Sequence, residues 1–111
     1  MKDRYLTKRR VFAFGETVLD LVSSGGFKLQ AVPGGSVFNA AVSLGRMGVD
    51  IHLISEFGAD KAGNLISKFL EANTVQTDFC IRYPNNKTSL ALAFLDEAKN
   101  ASNTFYHDTP E

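Results

Sequence analysis

An isolated carboxylate inside an apolar run is the first residue whose chemistry needs explaining: Asp20 stands between Val18-Leu19 and Leu21-Val22. Burial would strip its solvation, so it would need hydrogen bonds or a bound ligand. The alternative is an edge strand on which Asp20 points into water and discourages pairing with other chains. A second cluster follows at Pro33-Gly34-Gly35-Ser36-Val37-Phe38-Asn39. Two glycines ahead of a helix remove Cβ atoms where a ligand could approach the backbone, and the free N–H groups of a helix start can donate to it. Asn39, about one turn into that helix, offers both a donor and an acceptor, as recognition of a sugar hydroxyl requires. The alternative for this cluster is a tight turn followed by a surface Asn.

Other familiar chemistries lack their residues. There is no G-x-x-x-x-G-K-[ST] loop, no G-x-G-x-x-G after the first strand and no G-x-S-x-G elbow. His52 falls inside a predicted strand and His107 near the end, without ligand spacing between them, so both read as structural or solvated and no metal site is expected. Cys80, between Phe79 and Ile81, reads as a buried inert thiol rather than a nucleophile.

The elements that must position Asp20 and Asn39 follow from periodicity. Val11 to Phe14 is a continuous β-branched and aromatic run closed by Gly15, which suits a strand buried on both faces. Val18 to Val22 and Phe27 to Val32 read as the arms of a hairpin around Ser23-Ser24-Gly25-Gly26, and Pro33-Gly34-Gly35 breaks the chain again. From Ser36, a predicted N-cap, Val37, Ala40, Ala41, Leu44 and Met47 recur with helical spacing up to Gly48 as the C′ residue. Ile51 to Ser55 is a second short strand. Asp60 then caps a helix whose apolar stripe is Ala62, Leu65, Ile66, Phe69 and Leu70. Strand, helix, strand, helix with short connectors is the signature of βαβ units and a parallel sheet. Phe79 to Arg82, Thr88 to Leu95 and Asn103 to His107 read as further strands. In the second of these Leu90, Leu92 and Phe94 share a large apolar face, while Ser89, Ala91 and Ala93 leave a face of small side chains.

Composition sets the outer limits. A chain of 111 residues holds one core, and 44% hydrophobic with 22% charged residues is an ordinary globular balance. Twelve Lys+Arg against twelve Asp+Glu leave no net field that would favour nucleic acid or an anionic membrane, so neither partner is expected. The basic stretch from Lys2 to Arg10 resembles the start of a signal peptide, but Val11 to Phe14 is too short for its apolar segment. That stretch reads as a solvated leader. One cysteine and no disulfide framework point to a reducing compartment, hence a cytoplasmic protein.

Taken together, Phe14-Gly15-Glu16-Thr17-Val18-Leu19-Asp20, Pro33-Gly34-Gly35 with Asn39, Gly45 and Gly48, and Gly58-Ala59-Asp60-Lys61-Ala62-Gly63 resemble the N-terminal third of a ribokinase-like, or phosphofructokinase B-type, sugar kinase. The resemblance runs from about Val11 to the end of the chain. It implies an α/β fold: a Rossmann-like parallel sheet with helices, from residues 11–16 and 36–78, plus a small β-sheet lid from about 17–33 and 79–107. It also implies that Asp20, Gly34, Gly35 and Asn39 hold the hydroxyls of a small-molecule sugar. Val18 stands where ribokinases proper carry Asn, and the Gly-Glu before it, Thr88-Ser89-Leu90-Ala91 and Phe105-Tyr106 are more similar to fructokinases, which favours a ketohexose such as fructose. His107 replaces the Arg usual after that Tyr.

The resemblance further implies a full length of about twice the ~150 residues of a typical domain, ATP and magnesium as cofactors, and a Gly-Ala-Gly-Asp motif bearing the catalytic base in a C-terminal half. That motif does not occur in this sequence. The expectation is therefore that this chain supplies sugar positioning and lid closure, holds no catalytic residue, binds neither ATP nor magnesium alone and is inactive alone as a kinase. The alternative is a non-catalytic sugar-binding or dimerising fragment. Lids of this family often pair about a two-fold axis, which implies a homodimer through the lid strands.

Overall fold

The protein is described from a computed structural model over residues 9–107; the basic residues Lys2, Arg4 and Lys8 of the expected leader lie outside the described residues. The first strand, β1 (Arg10–Phe14), is followed by β2 (Val18–Ser23), β3 (Gln30–Gly34) and helix α1 (Ser36–Arg46). Strand β4 (Asp50–Gly58), helix α2 (Lys61–Ala72) and strands β5 (Cys80–Tyr83), β6 (Leu90–Leu95) and β7 (Ala101–Tyr106) follow among the described residues.

Two sheets result. The first is a parallel sheet in the order β1-β4-β5, with Arg10 opposite Asp50 and Ser55 opposite Cys80. Both helices pack on it through their apolar stripes, and Phe38, Ile51, Leu53, Ile66 and Leu70 are its largest fully buried side chains. The expected βαβ reading holds here, with Ala41, Ile66 and Leu70 of the expected stripes on the sheet side; Ala40, Met47 and Leu65 are exposed instead, and Phe38 and Val42 complete the buried face of α1. The second sheet has the order β3-β2-β6-β7. Its β2–β6 pair is parallel, whereas β2–β3 and β6–β7 are antiparallel.

Several expected boundaries are corrected. Residues 79–82 were expected in the lid, but β5 pairs in parallel with β4 and so extends the first sheet. Its Cys80 packs against the helical core, although β5 is the outer strand of that sheet among the described residues. The hairpin arm expected at 27–32 is β3 at 30–34; Phe27 is fully exposed in the turn, and Pro33 closes the strand rather than breaking the chain. Proline is tolerated there because β3 is an edge strand. Strand β6 begins at Leu90 rather than Thr88, whose backbone N–H donates instead to the Asp60 carboxylate at 2.9 Å. Helix α1 is capped by Gly35, not by Ser36, which is already its first helical residue. Gly35 adopts φ 123°, a conformation only glycine accepts readily, so the polypeptide turns one residue earlier than a serine cap would allow. The large apolar face of β6 is not wholly free, since Leu90 packs against the core while Phe94 remains half-exposed.

Candidate functional site

Asp20 lies on β2, an interior strand with β3 on one side and β6 on the other, which excludes the edge-charge explanation. Its register partners are Val32 and Ala91. The carboxylate rests against the backbone of Gly34, where an added Cβ would overlap Oδ2. Partial burial pushes the Asp20 carboxyl above the ordinary carboxylate range. Among the described residues nothing forms a hydrogen bond or ion pair with its side chain. A half-buried acceptor without a partner beside a backbone stripped of its side chain has room and reason to accept a hydrogen bond from a ligand.

Gly35 follows directly as the N-cap of α1, beneath the carbonyl of Glu16. No side chain caps the helix, so its first N–H groups remain open to a ligand. Asn39 is exposed on the first turn, its backbone N–H donating to the Gly35 carbonyl at 2.8 Å. The fold thus brings Asp20, Gly34 and Gly35 into one corner, and ties Asn39 to that corner through the first turn of α1.

Two polar connections join this corner to the rest of the protein. Asp60 caps α2, its Oδ1 accepting from the Gly63 N–H at 2.8 Å and from Thr88 Oγ1 at 2.6 Å. Its Oδ2 accepts the Thr88 N–H, while Thr88 Oγ1 accepts the Gly58 N–H at 3.0 Å. Partial burial alone would raise the Asp60 carboxyl, but the hydrogen bonds from Thr88 and Gly63 outweigh it and hold the group below the ordinary range. Thr17 and Ser55, both buried, share a hydrogen bond at 2.7 Å between the start of β2 and β4. Sequence reasoning found the helix cap of Asp60 but not its hold on Thr88, because partners 28 residues apart leave no local spacing.

The remaining candidates are structural. His52 is buried, with Nδ1 3.0 Å from Asp78 and Nε2 3.2 Å from Asp50 but out of hydrogen-bonding line, and its ring packs at a tilt against Phe12 and Phe79. Burial pushes the Cys80 thiol up to about 11, and Sγ donates to the Leu53 carbonyl, so it is a poor nucleophile. Among the described residues no three metal-ligating side chains converge. No helix among them is long and apolar enough to cross a membrane.

Comparison with known proteins identifies the lineage. The pfkB family carbohydrate kinase profile matches residues 8–110. A fructokinase from Vibrio alginolyticus is 30% identical over 96 residues, which are 86% of this chain and 31% of the relative. A ribokinase from Bacillus subtilis (strain 168) is 34% identical over 87 residues, 78% of this chain and 28% of the relative. The crystal structure of fructokinase with bound ATP from Xylella fastidiosa superposes with a TM-score of 0.79 at 26% identity, covering 90% of this chain and 33% of that one. The chain belongs to the pfkB carbohydrate kinase family and has its ribokinase-like fold, a helix-covered parallel sheet with a second small sheet. It spans about a third of the length of the relatives it matches.

Proposed function

We propose that these residues form the acceptor-sugar site of an ATP-dependent carbohydrate kinase, and that the sugar is a ketohexose such as fructose. Asp20 accepts a hydrogen bond from one sugar hydroxyl, Gly34 and Gly35 let the sugar approach the backbone and the open N–H groups at the start of α1, and Asn39 supplies a mixed donor and acceptor contact. The observation that carries this reading is the half-buried Asp20 carboxylate, without a partner among the described residues, against Gly34 at an uncapped helix start. The names of the relatives support the choice of a hexose, with fructokinases from several organisms among them.

Phosphoryl transfer itself needs a base for the attacking hydroxyl and donors for the transferring phosphate. Neither is assigned to these residues. Their part in the reaction is to orient the sugar and, through the four-stranded sheet acting as a lid, to exclude water from it. ATP, which a related fructokinase binds in its crystal structure, is placed with residues outside this sequence. The reading includes a homodimer joined through the lid, where β7 is an edge strand exposed along its whole length, and a cytoplasmic location.

Calorimetric titration of the chain with D-fructose tests the site. Asp20→Ala removes a charge-assisted hydrogen bond worth about 1.5–3 kcal/mol, so affinity should fall by about ten- to 150-fold with the fold intact. An unchanged affinity would return Asp20 to a structural role.

A further inference from the structure

A polar groove lies beside the Asp20 corner, between the four-stranded sheet and the C-terminal ends of the parallel strands. Glu16, Glu56, Tyr83, Lys87, Ser89 and His107 line it together with Val18. The register makes it continuous with Asp20. Asp20, Ala91 and Phe105 form one row across β2, β6 and β7. Side chains alternate along a strand, so Val18, two residues before Asp20, shares its face and lies about 7 Å away. His107 follows Phe105 by two residues and stacks on its ring at 5.8 Å and 11°. Ser89, just before β6, and Ala91 on it put only small side chains between the two places.

The groove is built to meet hydroxyl groups. Tyr83 donates its hydroxyl to Glu56 Oε2, which fixes the carboxylate, while Oε1 has no hydrogen-bond partner among the described residues. That bond to Glu56 also raises the Tyr83 phenol above its ordinary value, so the hydroxyl stays protonated and keeps donating. Ser89 and His107 face the same space with groups that can both give and take hydrogen bonds. Lys87 is the one lysine or arginine in the lining, against the two carboxylates of Glu16 and Glu56. An anionic group entering would meet like charge, whereas a neutral polyol would not.

We propose that this groove is a second hydroxyl-reading subsite, in which Glu56, Ser89 and His107 hold the end of a neutral sugar remote from Asp20 and discriminate against sugar acids. The proposal rests on the acceptor-site reading above and adds the residues that set its specificity. The 111-residue chain is titrated with D-fructose and with D-gluconate, following backbone amide shifts, and compared with Glu56→Gln, His107→Ala and Asp20→Ala. Glu56→Gln and His107→Ala should each weaken fructose binding about five- to tenfold, and Glu56→Gln should narrow the preference for fructose over gluconate by at least about threefold. Amides of α2 should be unchanged in both variants, which separates lost contacts from lost folding. If Asp20→Ala abolishes binding while both groove variants stay within about twofold of the unsubstituted chain, the subsite is overturned and the Asp20 reading stands. No fructose binding by the unsubstituted chain overturns both.

Discussion

The two sheets of this protein are stabilised in different ways. The parallel sheet is a hydrophobic construction, with Ile51, Leu53 and Phe57 of β4 closed under Phe38, Ile66 and Leu70 of the helices. The four-stranded sheet buries Val18, Leu19 and Ala91, but β7 is exposed from end to end and β3 is buried only at Gly34. Only one face of it joins that core, through Leu19, Leu21 and Leu90, and two polar links, the Asp60–Thr88 clasp and the Thr17–Ser55 hydrogen bond, fasten its near end. A layer with one packed face and an exposed outer edge opens at lower cost than the core beneath it, and residues meant to close over a ligand belong on such a layer. Asp20 is on it.

The comparison breaks first if the core does not dominate stability. Leu53→Ala removes a fully buried side chain and should cost about 2–5 kcal/mol in urea unfolding. Thr104→Ala, on exposed β7, should change stability by no more than about 0.5 kcal/mol. Comparable losses at the two sites would mean that the sheets fold as one equally packed unit.

A smaller effect sharpens the contrast through pH. Asp60→Asn removes acceptors from Thr88 and should cost about 1–3 kcal/mol at neutral pH, with faster amide exchange in β6 than in β4. Because the Asp60 carboxyl is held below its unfolded value, its contribution is present above the unfolded pKa of about 3.9 and is lost as pH falls through the lower folded value. Asp20 has the opposite sign. Its carboxyl is raised by burial, so its contribution is complete below the unfolded pKa and is lost as pH rises through the folded value. Asp20→Asn should therefore leave stability at neutral pH equal or higher, while Asp60→Asn lowers it. Unfolding curves at pH 4 and pH 7 for both variants check the signs; a loss of stability from Asp20→Asn at pH 7 would make Asp20 part of the scaffold.

The order in which these features became legible has a physical basis. Helix α2 was readable because its cap at Asp60 and its stripe of Ile66 and Leu70 are local, repeating signals. The corner of Asp20, Gly34 and Gly35 was visible as three separate oddities, a charge in an apolar run and two glycines before a helix. Their proximity depends on the β2–β3 register, which no local pattern encodes. Strand β5 was misplaced because four residues, Cys80–Tyr83, carry no information about which sheet they join. Glu56 and Tyr83 escaped notice for the same reason as Thr88: their partners are distant in sequence.

The weakest expected effect concerns assembly. If lids pair through β6 and β7, Phe94→Asp, at a half-exposed position, should weaken a micromolar homodimer by about 1–2 kcal/mol without shifting the unfolding midpoint of the core. Light scattering that finds the unsubstituted chain monomeric would remove the dimer.

The most direct measurement maps D-fructose onto the two sheets by amide shifts and hydrogen exchange of the full chain. Changes should concentrate in β2, at Gly34 and Gly35, and in the first turn of α1, with β1 and α2 unmoved. Changes centred on β1 and α2, with Asp20 and Gly34 silent, would contradict the account.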